Sequence, residues 1–164
     1  MGERPNFRQR KSYPELLGLE GIMRLAAFSD YGLRVMMRLA DKPETSLTTG
    51  EIAREFHISY HHLTKVVQDL VRGGFLQTKH GAGGGITLAR SPQSITLGEV
   101  VRYLEQRHAL VECFRHDGGA CHLTPKCRLK AKLFDARNAF FASLDTTTVA
   151  DCAYPGGTLG RRNK

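Results

Sequence analysis

Three features of this 164-residue chain predict a mainly α fold carrying one small β-hairpin. The first is a pair of short helical patterns over residues 48–74 whose apolar positions share one side. The second is two short β-runs, FLQTK and ITLAR, on either side of the loop HGAGGG. The third is a long helical pattern from Lys126 to about Leu144, too rich in apolar residues to be covered by one small domain. Together they predict a winged helix-turn-helix followed by a long C-terminal dimerisation helix.

Residues 1–22 carry Pro5, Pro14 and several charges with little periodicity, and are expected to be a disordered extension. Met23 opens a different composition. In FSDYGLRVMMRLA, Leu33, Met36, Met37 and Ala40 recur at three and four, which is helical spacing. Ser29 or Asp30 stands where an N-cap is expected, and Pro43 ends the segment. Thr48 or Thr49 caps GEIAREF, His57 and Ile58 make a turn, and Ser59 caps YHHLTKVVQDLVRGG. Ile52, Ala53, Phe56, Ile58, Leu63, Val66, Val67 and Leu70 give the two helices a shared buried side, which is the helix-turn-helix pattern. Gly73 and Gly74 supply the stop, and the hairpin that follows is a wing. Thr96 and Glu99 form a capping box ahead of LGEVVRYLEQ. The expected organisation is therefore a DNA-binding domain over 23–95, a cysteine loop and dimerisation helix over 96–151, and a disordered tail over 152–164.

The charge of +8 and this fold favour a polyanion as partner. The second helix of such a pair lies in the major groove, and its first turns here expose Ser59, Tyr60, His61, Thr64 and Lys65. Ser, Thr and His can hydrogen-bond bases or phosphates, whereas Lys65 neutralises a phosphate. With no Arg in those turns, specificity draws on apolar contacts, DNA shape and the wing, where Lys79 and His80 flank the glycines. HGAGGG lacks the Gly-Lys-Ser/Thr ending of a phosphate loop. No apolar run approaches the roughly 20 residues that span a bilayer, the N-terminus lacks a secretory apolar core, and Asn6 is wrong for myristoylation. A cytoplasmic location is the expectation. No nucleophile–base motif or cofactor fingerprint appears, so an enzyme is not expected.

Cys113, Cys121 and Cys127 fall within fifteen residues, at gaps of seven and five. Reduced cytosolic thiols disfavour a disulfide. Structural zinc favours tight Cys-x2–4-Cys knuckles, which are absent, although His116 or His122 would complete a Cys3His site. Widely spaced thiolates on a loop with Gly118 and Gly119 can instead wrap an iron–sulfur cluster. Cys127, on the first turn of the last helix, lies where the helix dipole favours a thiolate. Cys152 is distant and reads as a non-ligand.

MRLAAFSDYGLRVMMRLA, the helix-turn-helix, the HGAGGGI wing, the LGEVVRYLE helix and CHLTPKCRLK resemble, in order, the Rrf2 family of winged-helix iron–sulfur regulators, from Met23 to about Asp151. Within that family, CHLTPKCRLK is most similar to the nitric-oxide-sensing repressors. In the branch that controls cluster assembly, a His ligand stands three residues after the last cysteine. Lys130 occupies that position here and cannot ligate while protonated. The resemblance implies a homodimer on a palindromic operator, with Cys113, Cys121 and Cys127 completed by Asp30 from the other subunit. It implies a [4Fe–4S] cluster in preference to a [2Fe–2S] cluster, and nitric oxide as the signal that releases DNA. The gap of seven after Cys113 is longer than that branch is expected to have, and enlarges the loop at His116 to Gly119.

Overall fold

The computed structural model describes residues 25–81, 83–106, 109–123 and 127–156. The expected N-terminal extension, most of the tail and Lys126, where the last helical pattern begins, lie outside the described residues. Five α-helices are described: α1 (Ala27–Asp41), α2 (Thr49–Phe56), α3 (Tyr60–Arg72), α4 (Leu97–Glu105) and α5 (Arg128–Asp145). Between α3 and α4 lie the antiparallel strands β1 (Leu76–Lys79) and β2 (Gly85–Leu88), in register from Leu76 opposite Leu88 to Lys79 opposite Gly85.

Local chemistry explains most boundaries. Thr48 caps α2 by a full capping box: its hydroxyl accepts from Glu51 N–H at 3.2 Å, and the Glu51 carboxylate accepts from Thr48 N–H at 2.7 Å. His57 ends α2 in the left-handed region at φ 54°. That residue turns the chain sharply into α3, which begins after Ser59 without a side-chain cap bond. Two expected caps differ. α1 starts at Ala27, and Ser29 sits inside its first turn, fully buried. The earlier start is fixed by tertiary structure, because Ala26 N–H donates to Glu105 at the far end of α4, 2.9 Å away. At α4 only half the capping box forms: Thr96 accepts from Glu99 N–H, while the Glu99 carboxylate accepts from Arg90 at 2.6 Å.

One core unites the chain. Val35, Met36 and Leu39 of α1, Ile52 of α2, Leu63, Val66 and Leu70 of α3, and Val100 and Leu104 of α4 are all buried within it. A third strand-like segment braces the wing, since Leu47 exchanges two backbone hydrogen bonds with Ile86 at 3.1 and 2.8 Å. This close approach requires glycine at position 85, where a Cβ would lie 2.7 Å from the Leu47 carbonyl oxygen. After α5 the chain returns to the core. Leu97 N–H donates to Thr147, Val149 N–H donates to Ile95, and Val149 is fully buried. Packing continues to Tyr154, whose N–H donates to Met37 and whose ring lies 6.0 Å from Phe56. The core therefore draws residues from both sides of 95/96, and packing reaches Tyr154.

Candidate nucleic-acid interface and metal centre

The recognition helix α3 buries Leu63, Val66, Val67 and Leu70 and turns its other side to solvent. Ser59, Tyr60, His61 and Lys65 are exposed on that side, Tyr60 to 62%. Thr64 is half-buried, and its hydroxyl donates to the Tyr60 carbonyl at 2.8 Å, so outward it offers only an acceptor. Lys79 and His80 are exposed at the tip of the wing. His62 and Gln68 are also exposed on α3, beyond the residues its first turns suggested. A depression of about 660 Å³ lies beside the turn, lined by Arg54, His57 and Tyr60. The signal for Arg54 and His57 was available: two cationic or cationisable groups, three apart, immediately before a recognition helix.

The cysteines all follow α4 in the chain. None of the four forms a disulfide, and all are half-buried. Cys113 lies in a 3-10 turn, Glu112–Phe114, and Cys121 follows the loop it opens. Cys127 is the N-cap of α5 rather than a residue of its first turn, and still stands at the positive end of the helix dipole. His116 and His122 are exposed. Cys152 lies away from these, in the 3-10 turn Ala150–Cys152 that packs on α1, and burial followed by the nearby Asp151 pushes its thiol pKa up.

Asp30 projects from the first turn of α1, where it meets Arg34 in a two-point ion pair at 3.1 and 2.8 Å. Among the described residues no three His, Cys, Asp or Glu side chains come together as a metal-binding group within the single chain. Thiolates and a carboxylate are donor types that fit iron and sulfide.

α5 is incompletely covered by the rest of the described residues. Across 18 residues it buries none completely. Leu129 and Phe134 are 62% and 46% exposed, and Leu133, Phe140, Phe141 and Leu144 are only half-buried. Among the described residues no helix is long and apolar enough to cross a membrane.

A helix-turn-helix with a braced wing and an exposed polar recognition helix defines a DNA-binding transcriptional regulator. The family model described as an iron-dependent transcriptional regulator, Rrf2, matches residues 25–155, and the chain belongs to that family. Proteins named HTH-type transcriptional regulator NsrR are similar to it over 130 residues, 79% of this chain. The one from Geobacillus kaustophilus is 44% identical with 88% of its length covered, and the one from Halalkalibacterium halodurans 41% with 89%. Among solved structures, the global cysteine regulator CymR of B. subtilis superposes with a TM-score of 0.65 at 30% identity, over 80% of this chain and 97% of that one. IscR of T. potens, at 24% identity, shares the fold with a TM-score of 0.63 over 79% of this chain and 85% of that one. This chain is a transcriptional regulator and not an enzyme.

Proposed function

We propose that this chain is a homodimeric repressor that binds palindromic operator DNA and senses nitric oxide through an iron–sulfur cluster. The observation that carries the reading is an incomplete ligand set. Three cysteines bracket the loop and the start of α5, and a carboxylate, Asp30, stands half-exposed on a different helix. Cys113, Cys121 and Cys127 of one protomer and Asp30 of the partner subunit would hold the cluster, a [4Fe–4S] cluster in preference to a [2Fe–2S] cluster. Dimerisation through α5 supplies the second chain, and two-fold symmetry matches a palindromic site. The similarity to proteins named NsrR supports this branch, as does Lys130 three residues after the last cysteine.

A bound cluster supplies iron that takes nitric oxide as a ligand. The protein's part is a choice by Asp30 between two partners. As a holder of the metal, its carboxylate would give up Arg34 and would tie the first turn of α1 to the other protomer. Released, it returns to the Arg34 pair. α1 transmits the difference because it packs tightly on both neighbours: a Cβ at Gly32 would lie 2.5 Å from Leu104 of α4 and 3.6 Å from Val66 of the recognition helix. Such a switch works only if the signal changes the relative stability of the two positions of the reading head.

The test is anaerobic purification, an absorbance spectrum with iron and sulfide counts, and operator affinity measured during titration with nitric oxide. A cluster chromophore and loss of operator binding on titration are expected. Absence of the chromophore, or affinity indifferent to nitric oxide, overturns the reading. Full operator affinity in the apo protein would point instead to a sensor of cluster supply, and zinc without iron or sulfide to a structural metal.

A further inference from the structure

The gap of seven between Cys113 and Cys121 has an interior of its own. Arg115 donates to both oxygens of Asp117, from Nε at 3.1 Å and from Nη2 at 2.8 Å, and its Nη1 lies 3.5 Å from Glu112. The carboxylates then hold backbone. Asp117 accepts from Gly119 N–H at 3.0 Å, and Glu112 accepts from Ala120 N–H at 3.3 Å. Gly119 has φ +59°, and a Cβ there would overlap the Glu112 carbonyl oxygen. Glu112 thus touches Gly119 and Ala120. The chain neighbours of Cys113 and Cys121 are in contact although the cysteines are eight positions apart.

A second fixture registers this loop on α5. Phe114, next to Cys113, meets Phe134 edge-on at 6.3 Å, and the Arg137 guanidinium lies 5.1 Å from the Phe114 ring and 4.8 Å from that of Phe134. Cys127 is the N-cap of the same helix. The loop carrying two of the cysteines is therefore indexed to the helix carrying the third.

We propose that Arg115 is a positioning residue for the metal centre: its fork on Asp117 and Glu112 closes the loop in advance, so that Cys113 and Cys121 form a pre-paired half of the ligand set. This rests on the iron–sulfur reading above. Metal capture by an open loop would have to meet the cost of closing it, and a loop already closed by the chain's own charges removes that cost from binding. The longer gap is then not slack. Its extra residues build the closure.

The experiment uses the full chain with Arg115→Ala, Asp117→Asn and the double variant. Arg115 is exposed, so the core is untouched. In reconstituted protein, loss of the cluster absorbance to a chelator is expected to run about three- to tenfold faster in each single variant. The double should be no worse than the worse single, because the two side chains act as one unit. In the metal-free protein, with diamide as oxidant and peptide mapping as readout, the Cys113–Cys121 disulfide is expected to form first in the wild type and about three- to tenfold more slowly in Arg115→Ala. Unchanged rates in both assays overturn the proposal, as does a double variant with additive effects. Wild-type protein that takes up no iron and sulfide overturns the cluster reading instead, while the disulfide rate still decides whether Arg115 pairs the two thiols.

Discussion

Replacing Asp30 by Asn separates a structural role for this carboxylate from a metal-binding one. Asp30 makes one ion pair, with Arg34 one turn along the same helix, and both side chains are more than 40% exposed. An exposed pair at this spacing contributes about 0.3–0.5 kcal/mol. Its place in the first turn of α1 adds roughly 0.3–1 kcal/mol through the helix dipole. The total is about 1 kcal/mol, or roughly 2–4 °C in melting temperature for a chain of this size. Against an ordinary stability of about 5–15 kcal/mol, the folded fraction hardly changes. As a metal ligand, by contrast, its loss should accelerate cluster release at least about tenfold, since removing even an outer partner of a metal ligand has that effect. The assay pairs thermal denaturation of the metal-free protein with the rate of cluster loss to a chelator under anaerobic conditions. Asp30→Asn should melt within a few degrees of wild type and shed its cluster much faster. A variant that retains iron, sulfide and the response to nitric oxide would refute the role given to Asp30. So would one that loses the cluster only in proportion to a large fall in stability.

Four further outcomes are expected. Lys65→Ala should weaken operator and unrelated DNA alike and lower the slope of log affinity against log salt by about 1, read by anisotropy over a salt series; a slope equal to wild type excludes a phosphate contact. Leu129→Glu puts a charge on the exposed apolar side of α5 and should shift the proposed dimer to monomer in sedimentation velocity, with operator affinity falling in step. Leu63→Ala, at a fully buried position between the helix-turn-helix elements, should cost about 2–5 kcal/mol in denaturant titration; a cost under about 1 kcal/mol would contradict the packing described. A hydrogen bond from Arg102, the same residue's charge and a bond from Thr96 hold the Asp145 carboxyl below its ordinary 3.8. Its contribution is therefore present above that value and lost as pH falls through the lower folded value, so Asp145→Asn should flatten the acid limb of the stability curve and leave neutral pH dependence alone.

Where local chemistry decides, the sequence spoke clearly. The order of helices, the hairpin and the recognition helix follow from apolar spacing, from the threonines at 48 and 49, and from the glycines after α3. It misled where a distant residue decides. Ser29 looks like a cap because its chemistry suits one, yet the Glu105 carboxylate lets α1 begin earlier and carries Ser29 into the core. Glu99 looks like half of a capping box, yet Arg90 offers its carboxylate an ion pair. The return of Val149 and Tyr154 to the core had no periodic signal, being only one buried side chain and one ring in a short irregular segment. At the site, residue types were legible and closure was not. The gap after Cys113 showed its length in the sequence, while the bonds from Arg115 to Asp117 and from Ala120 to Glu112 exist only in three dimensions.

The clasp between Ile95 and Val149 bears on how such a protein can move. It fastens the residues just before α4 to those just after α5, so both ends of the segment from 96 to 148 are moored to the DNA-reading body. Arg102 adds a cross-tie from α4 to the last residue of α5. In a dimer built on α5, pairing helix and reading head would then turn as one piece, like a blade fixed to its handle. The distance between two recognition helices becomes a matter of how two handles are gripped together. A few ångströms at that grip, where the cysteine loop and the first turn of α1 would meet across protomers, would be read at the operator.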